Sequence, residues 1–213
     1  MLAALLVVAC DAGSNPFASF EDHCAELPPS RFDVATVPVT YLQDETQSID
    51  QLTVRGGSTP GRHMTFGITT VVFGHQTQTE VRSVEDRAGA RACGTVDVHV
   101  RLSMQPVTIH LAQELDGSPC ARTATLTHEL KHLAVFQDVL DETARALTTE
   151  LPGTVGPGLQ RAGSPADLQR QLNARINDYV SGFMQRRQHV LDERQRDVDS
   201  PAEYARVKAA CPQ

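Results

Sequence analysis

At Gly117 the hydrophobic period of the chain changes from two residues to about 3.6, and that switch divides the fold into a strand half and a helical half. Upstream, Val96, Val98, Val100 and Leu102 alternate with Asp97, His99 and Arg101, and Val107, Ile109 and Leu111 alternate with Thr108 and His110. Alternation of this kind buries one face of a strand and leaves the other in water. The two runs read as a β-hairpin turning near Ser103 to Pro106. Earlier strands are expected at 33–41, at 64–73 and, more weakly, at 77–84. The first is an edge strand, because Pro38 cannot donate to a ladder, and a short helix from Ser48 to Val54 stops at Gly56-Gly57.

Downstream, Ser118-Pro119 opens a helix with Leu126, Leu130, Leu133, Leu140, Ala144 and Leu147 along one stripe, with no stop before Leu151-Pro152-Gly153. Ser164-Pro165-Ala166-Asp167 opens a second long helix carrying Leu168, Leu172, Ile176, Val180, Phe183, Val190 and Leu191. A capping box, Ser200-Pro201-Ala202-Glu203, starts a last short helix ending at Cys211. The expected fold is α+β: a small antiparallel β-sheet packed on an antiparallel pair of long C-terminal helices, in a single domain over 31–213.

Charge and composition remove several classes of function. Nineteen Lys and Arg against 26 Asp and Glu leave a net charge of -7, so no cationic field exists to hold a nucleic acid backbone. Trp is absent and aromatics are 5%, which argues against stacking platforms for bases or sugars. The strongest apolar run, Leu2 to Ala9, is far short of the roughly 20 residues of a spanning helix.

That run instead resembles the apolar region of an export signal, and Val7-Val8-Ala9-Cys10 resembles a bacterial lipobox in which Cys10 is lipidated. Residues 1–10 are then a signal peptide, residues 11–30 a tether, and membrane contact is through the lipid anchor only. In such an exported, cell-envelope setting Cys24, Cys93, Cys120 and Cys211 form two disulfides. Closure of the hairpin pairs Cys93 with Cys120, and elimination pairs Cys24 with Cys211.

The chemistry lies in His128-Glu129-Leu130-Lys131-His132, an H-E-x-x-H on the first long helix. Residues four apart differ by about 40° around a helix, so both imidazoles reach a single tetrahedral Zn²⁺. Glu129, on the adjoining flank, is placed as general base toward a water whose pKa zinc lowers to about 7. The histidines share their flank with Val139, Thr143 and Ala146, and the hairpin bearing His99 and His110 is the expected cover, while the Leu stripe packs on the second helix. Asp138 is ten residues after His128, but without a glycine at Val135 the helix carries it about 15 Å along the axis. In a helical pair closing near Pro157, His189, Asp192 and Glu193 are the candidates for a third ligand.

Order and spacing over Tyr41 to about Asp192 resemble a bacterial family of predicted secreted Zn-dependent proteases: a strand and short helix ending in Gly56-Gly57, the Thr65-Phe66-Gly67-Ile68-Thr69 strand, Cys93, His128-Glu129-x-x-His132 and a second long helix. The resemblance implies amide hydrolysis on a peptide or protein, or a peptidoglycan cross-link. Members tend to carry a Trp in the strand matching Gly67 to Phe73 and a C-terminal Asp-x-x-Thr-x-His-Gly, both missing here. It therefore implies that Asp192, Asp197 or water replaces that histidine. The competing class is a non-catalytic envelope lipoprotein, a binding scaffold with a degenerate metal site.

Overall fold

The computed structural model describes residues 19–62 and 64–211. The leader, the lipobox and Cys10 lie outside the described residues. The tether expected through residue 30 is already structured from Ser19, whose hydroxyl caps helix α1 (Phe20–Ala25). Strands β1 (Arg31–Thr36) and β2 (Tyr41–Asp44) occupy the segment expected as one edge strand, and helix α2 (Ile49–Arg55) follows, capped by Ser48.

Two strands of 19 and 20 residues, β3 (Gly67–Glu85) and β4 (Ala92–Leu111), form the centre of the sheet. They make one antiparallel hairpin, so the two expected strands at 64–73 and 77–84 are a single strand. Its turn is at Asp86–Arg91, where Asp86 Oδ1 accepts from the amides of Ala90 and Arg91 and Gly89 takes φ 68°. The hairpin expected at Ser103 to Pro106 does not exist. Between Met104 and Val107, β4 spends three residues against the two from Val71 to Phe73 of β3. This bulge moves the inward face from even to odd positions, the same break in alternation that reads as a turn.

On its other side β4 pairs in parallel with β1 and β2 and antiparallel with β5 (Gln160–Ala162). The sheet is therefore mixed, not purely antiparallel. Beneath it lie α3 (Pro119–Val155) and α4 (Pro165–Val198). Both helices press apolar residues on the inward face of β4: Val96, Val98, Val100, Leu102, Met104 and Val107 meet Phe136, Leu140, Leu147, Leu172, Ile176 and Val180. The α+β layout, with a sheet on two long C-terminal helices in contact, is thus as expected. Pro152 costs α3 one backbone bond but does not end it, since Leu151 and Val155 on either side are both buried. Gly156, at φ 93°, ends it. Helix α4 runs back against α3, with Tyr179 bonded to Glu150, Arg187 to Thr143 and Arg194 to Glu142. Helix α5 (Pro201–Ala210) then folds onto α3.

The four cysteines do form two disulfides, in a different pairing from the one expected. Cys24 joins Cys93, fastening α1 to the start of β4, and Cys120 joins Cys211, fastening the end of α5 to the start of α3. The expected Cys93–Cys120 bridge needed β4 to fold back on itself. As one strand it holds Cys93 and Leu111 about 60 Å apart along the chain. Two covalent cross-links point to an oxidising, extracytoplasmic compartment. No helix among the described residues is long and apolar enough to cross a membrane.

Candidate metal centre

Helix α3 buries a line of residues that begins Thr125, His128, Glu129, His132 and continues through Phe136, Val139, Leu140, Thr143 and Leu147. The imidazoles thus lie on the buried line itself, and Leu130 of the expected apolar stripe is turned outward, 37% exposed. Five consecutive residues on a helix span more than one turn, so the motif divides between two neighbours. Glu129 and Thr125 face the start of β3, whereas His128 and His132 face the end of α4 and α5. The cover expected from the hairpin histidines is absent: His99 is exposed beside Asp33, and His110 is buried among Asp44, Gln47, Arg55 and Thr70.

Asp199, the residue that ends α4, completes the site. Nε2 of His128 is 3.3 Å from Nε2 of His132, and Oδ1 of Asp199 is 3.3 Å from each. Ligand atoms about 2.0–2.1 Å from a tetrahedral ion lie about 3.3–3.4 Å from one another, so the triangle has the edges of one face of such a polyhedron. These three side chains could hold a metal ion.

The neighbours orient both rings for that purpose. The side-chain amide of Gln195 donates to the carbonyl of His132 at 3.2 Å, which leaves its oxygen to face His132 Nδ1. Nδ1 must therefore carry the proton, and Nε2 presents a lone pair. Across the motif, the Glu203 carboxylate lies 3.5 Å from His128 Nδ1 and is itself held by Lys131 and Arg206. Acceptors on the far nitrogen are the usual way in which a metal-binding histidine is fixed. With both Nδ1 atoms so engaged, two Nε2 atoms and a carboxylate converge on one point, an arrangement that repels itself unless a cation or a proton occupies the point.

The electrostatics show the same demand for positive charge, met here by protons shared between the imidazoles and Asp199. Burial acts to raise the Asp199 pKa, but hydrogen bonds from the two imidazoles and the Tyr204 hydroxyl outweigh it and hold the carboxyl well below the usual range. Burial acts to lower the His132 pKa, and the bonds to Asp199 and Gln195 with the charge of Glu129 reverse this and raise it. Burial also raises the Glu129 carboxyl, opposed by the Thr69 bond and the imidazoles. The Thr69 hydroxyl donates to Glu129 Oε2 at 2.7 Å. Its other oxygen, Oε1, has space because residue 67 is a glycine: a Cβ there would be 2.6 Å away.

Of the residues expected from the sequence, the structure brings together His128 and His132, with Glu129 on the neighbouring side of the same helix against β3. Asp138, His189, Asp192, Glu193 and Asp197 are exposed and do not join them. The third-ligand candidates failed because the helical pair does not close at Pro157. Arg175 bonds to Val155, Tyr179 to Glu150 and Arg187 to Thr143, so α4 overshoots the end of α3 by about ten residues from its start at Pro165, and the residue level with His128 falls near Asp199. Ser200-Pro201, which restarts a helix, marks in the sequence the corner where Asp199 sits. Glu203 was expected to close the capping box; it goes instead to α3, while Ser200 still accepts from the Glu203 amide. No family model, curated protein or solved structure matches the chain.

Proposed function

We propose that this protein is an exported zinc-dependent peptidase in which His128, His132 and Asp199 hold the ion and Glu129 is the general base. The observation that carries this reading is the 3.3 Å triangle of donor atoms beside a buried carboxylate on the same helix. Two imidazoles and one carboxylate suit zinc, and three protein ligands are the number found in catalytic sites, whereas structural sites close with four. When bound, zinc supplies a Lewis acid and lowers the pKa of water toward about 7.

The chain supplies the rest. Glu129 takes the proton of the attacking water at Oε1, the oxygen that the Thr69 bond leaves free, and passes it to the leaving amine. Burial raises its proton affinity above that of an ordinary glutamate, which suits a group that must both accept and return a proton near neutrality. Thr69 and Gly67 set its position from β3, and Gln195 and Glu203 set the imidazoles from α4 and α5. Asp199, with its side chain 43% exposed, gives the site its solvent side. The disulfides and the Val7-Val8-Ala9-Cys10 segment support an envelope location with Cys10 as lipid anchor, and the reaction class makes a peptide, or a peptidoglycan cross-link, the substrate.

A second reading, a scaffold that the ion merely stabilises, draws on the depth of the imidazoles, whose side chains are 8% and 11% exposed. Metal analysis combined with a hydrolysis assay on labelled protein separates the two. Wild type is expected to hold about one zinc per chain, His128→Ala and His132→Ala to lose it, and Glu129→Gln to keep it without hydrolysis. Chelated protein that stays metal-free when zinc is returned overturns the peptidase and leaves a scaffold with a degenerate site. Zinc held without hydrolysis leaves the scaffold.

A further inference from the structure

We propose that α5 is a strap held across the metal-binding triad by the Cys120–Cys211 disulfide, and that a dithiol reductant opening this bond releases α5 and uncovers His128. The inference rests on the reading of the triad as a working site, because a substrate must reach the His128 ring that α5 now covers.

Four observations carry it. None of the residues of α5 is buried, so core packing does not hold the helix down. Its contacts fall on the site instead: the Tyr204 ring is 5.6 Å from the His128 ring, the Tyr204 hydroxyl donates to Asp199 at 2.8 Å, and Glu203 pairs with Lys131 beside His128. Its two ends are fixed differently. The N-terminal end continues from the α4 corner at Asp199, and the C-terminal end is held by the covalent bond to Cys120. Clefts also flank the helix. One of about 590 Å³ lies toward Lys131, Val135 and Arg194, and one of about 480 Å³ lies toward Thr123, Thr127 and the disulfide itself.

The two disulfides are unequal in access. Cys24 and Cys93 are 2% and 0% exposed, whereas Cys120 is exposed at the start of α3. A thiolate must reach a sulfur along the bond to displace its partner, so the reagent discriminates between them. In the first step a thiolate of the dithiol bonds to one sulfur of the Cys120–Cys211 pair and the other leaves as a thiolate. In the second, the remaining thiol of the reductant attacks the mixed disulfide. The reductant is oxidised to its own disulfide, and two electrons and two protons leave Cys120 and Cys211 as thiols.

Hydrogen exchange read by mass spectrometry on the zinc-free full chain, with and without dithiothreitol in native buffer, tests the strap. On reduction the amides of 201–210 are expected to exchange at least tenfold faster while those of 136–151 keep their protection and Cys24–Cys93 stays oxidised. Zinc-loaded protein should then release zinc to a chelating dye at least tenfold faster when reduced. The double variant Cys120→Ser with Cys211→Ser should show the fast exchange without reductant; reduction of folded wild type keeps the test open if that variant fails to fold. Unchanged exchange over 201–210 overturns the proposal, as does loss of protection in α3, α4 and α5 together, which would make the bond a general stabiliser. The exchange arm needs no metal. Fast α5 exchange in a protein that never binds zinc sinks the peptidase and keeps the strap; normal zinc binding with a protected α5 does the reverse.

Discussion

Replacing Gly67 with alanine exchanges one hydrogen for a methyl group at the point where β3 meets Glu129. The new Cβ would lie 2.6 Å from Glu129 Oε1, 2.6 Å from Thr125 Cγ2 and 3.0 Å from Glu129 Cγ. Ordinary contacts begin at 3.4 Å, so β3 and α3 must separate, or the carboxylate must move, by about 0.8 Å. Both side chains are buried and cannot swing into solvent. Overpacking of this kind costs about 1–3 kcal/mol. If the carboxylate yields, the Thr69 bond is strained as well, and a hydrogen bond to a charged group contributes about 1.5–3 kcal/mol. Displacing a proton-transfer group by nearly 1 Å lowers turnover by about 100-fold. The three atoms nearest that Cβ belong to Glu129 and Thr125 and to neither imidazole, so zinc affinity should change little. The assay is urea unfolding, zinc titration and hydrolysis on one preparation of Gly67→Ala, with Gly153→Ala as the counter-case. Gly153 lies in α3 with nothing within 4 Å of the added Cβ, so the same substitution there should stabilise by about 0.5–1 kcal/mol. A Gly67→Ala protein as stable and as active as wild type refutes the argument that β3 positions Glu129.

Other perturbations have equally definite outcomes. Gln195→Ala removes the acceptor on His132 Nδ1 and should weaken zinc binding about 10- to 100-fold, read by competition with a chelator, while the fold stays intact. Asp199→Ala should reduce zinc affinity, whereas Asp192→Ala should not; equal effects would disprove the assignment of the third ligand. Opening Cys24–Cys93 with serines, which frees a 69-residue separation, should cost about 2–5 kcal/mol by denaturant unfolding. Arg82 holds the Asp97 carboxyl below its usual pKa through a bidentate pair at 2.6 and 2.7 Å. A lowered folded-state pKa gives stability that is complete above about pH 3.9 and disappears as the pH falls through the lowered value. Melting temperatures should therefore fall more steeply below pH 4 in wild type than in Asp97→Asn.

The sequence by itself determined whatever a few neighbouring residues control. Ser164 and Ser200 cap the helices they were expected to open and Ser48 caps α2, because a hydroxyl reaches the amide three residues on without distant segments, whereas Ser118, also expected to cap, stands at the N-cap of α3 without that bond. His128 and His132 converge for the same reason, since helical spacing alone brings positions four apart to one face. Tertiary structure decided what depends on distant segments meeting. A bulge and a turn break alternation alike, and pairing with β3 made β4 a single strand, which exchanged the disulfide partners of Cys93 and Cys120. Asp199 became the third donor because the path from Val155 to Pro165 sets how far α4 slides along α3, and each residue of slide moves a side chain about 1.5 Å and 100°. Local patterning carries no information about that offset; the burial of Leu151, Val155, Leu168 and Leu172 against the sheet fixes it.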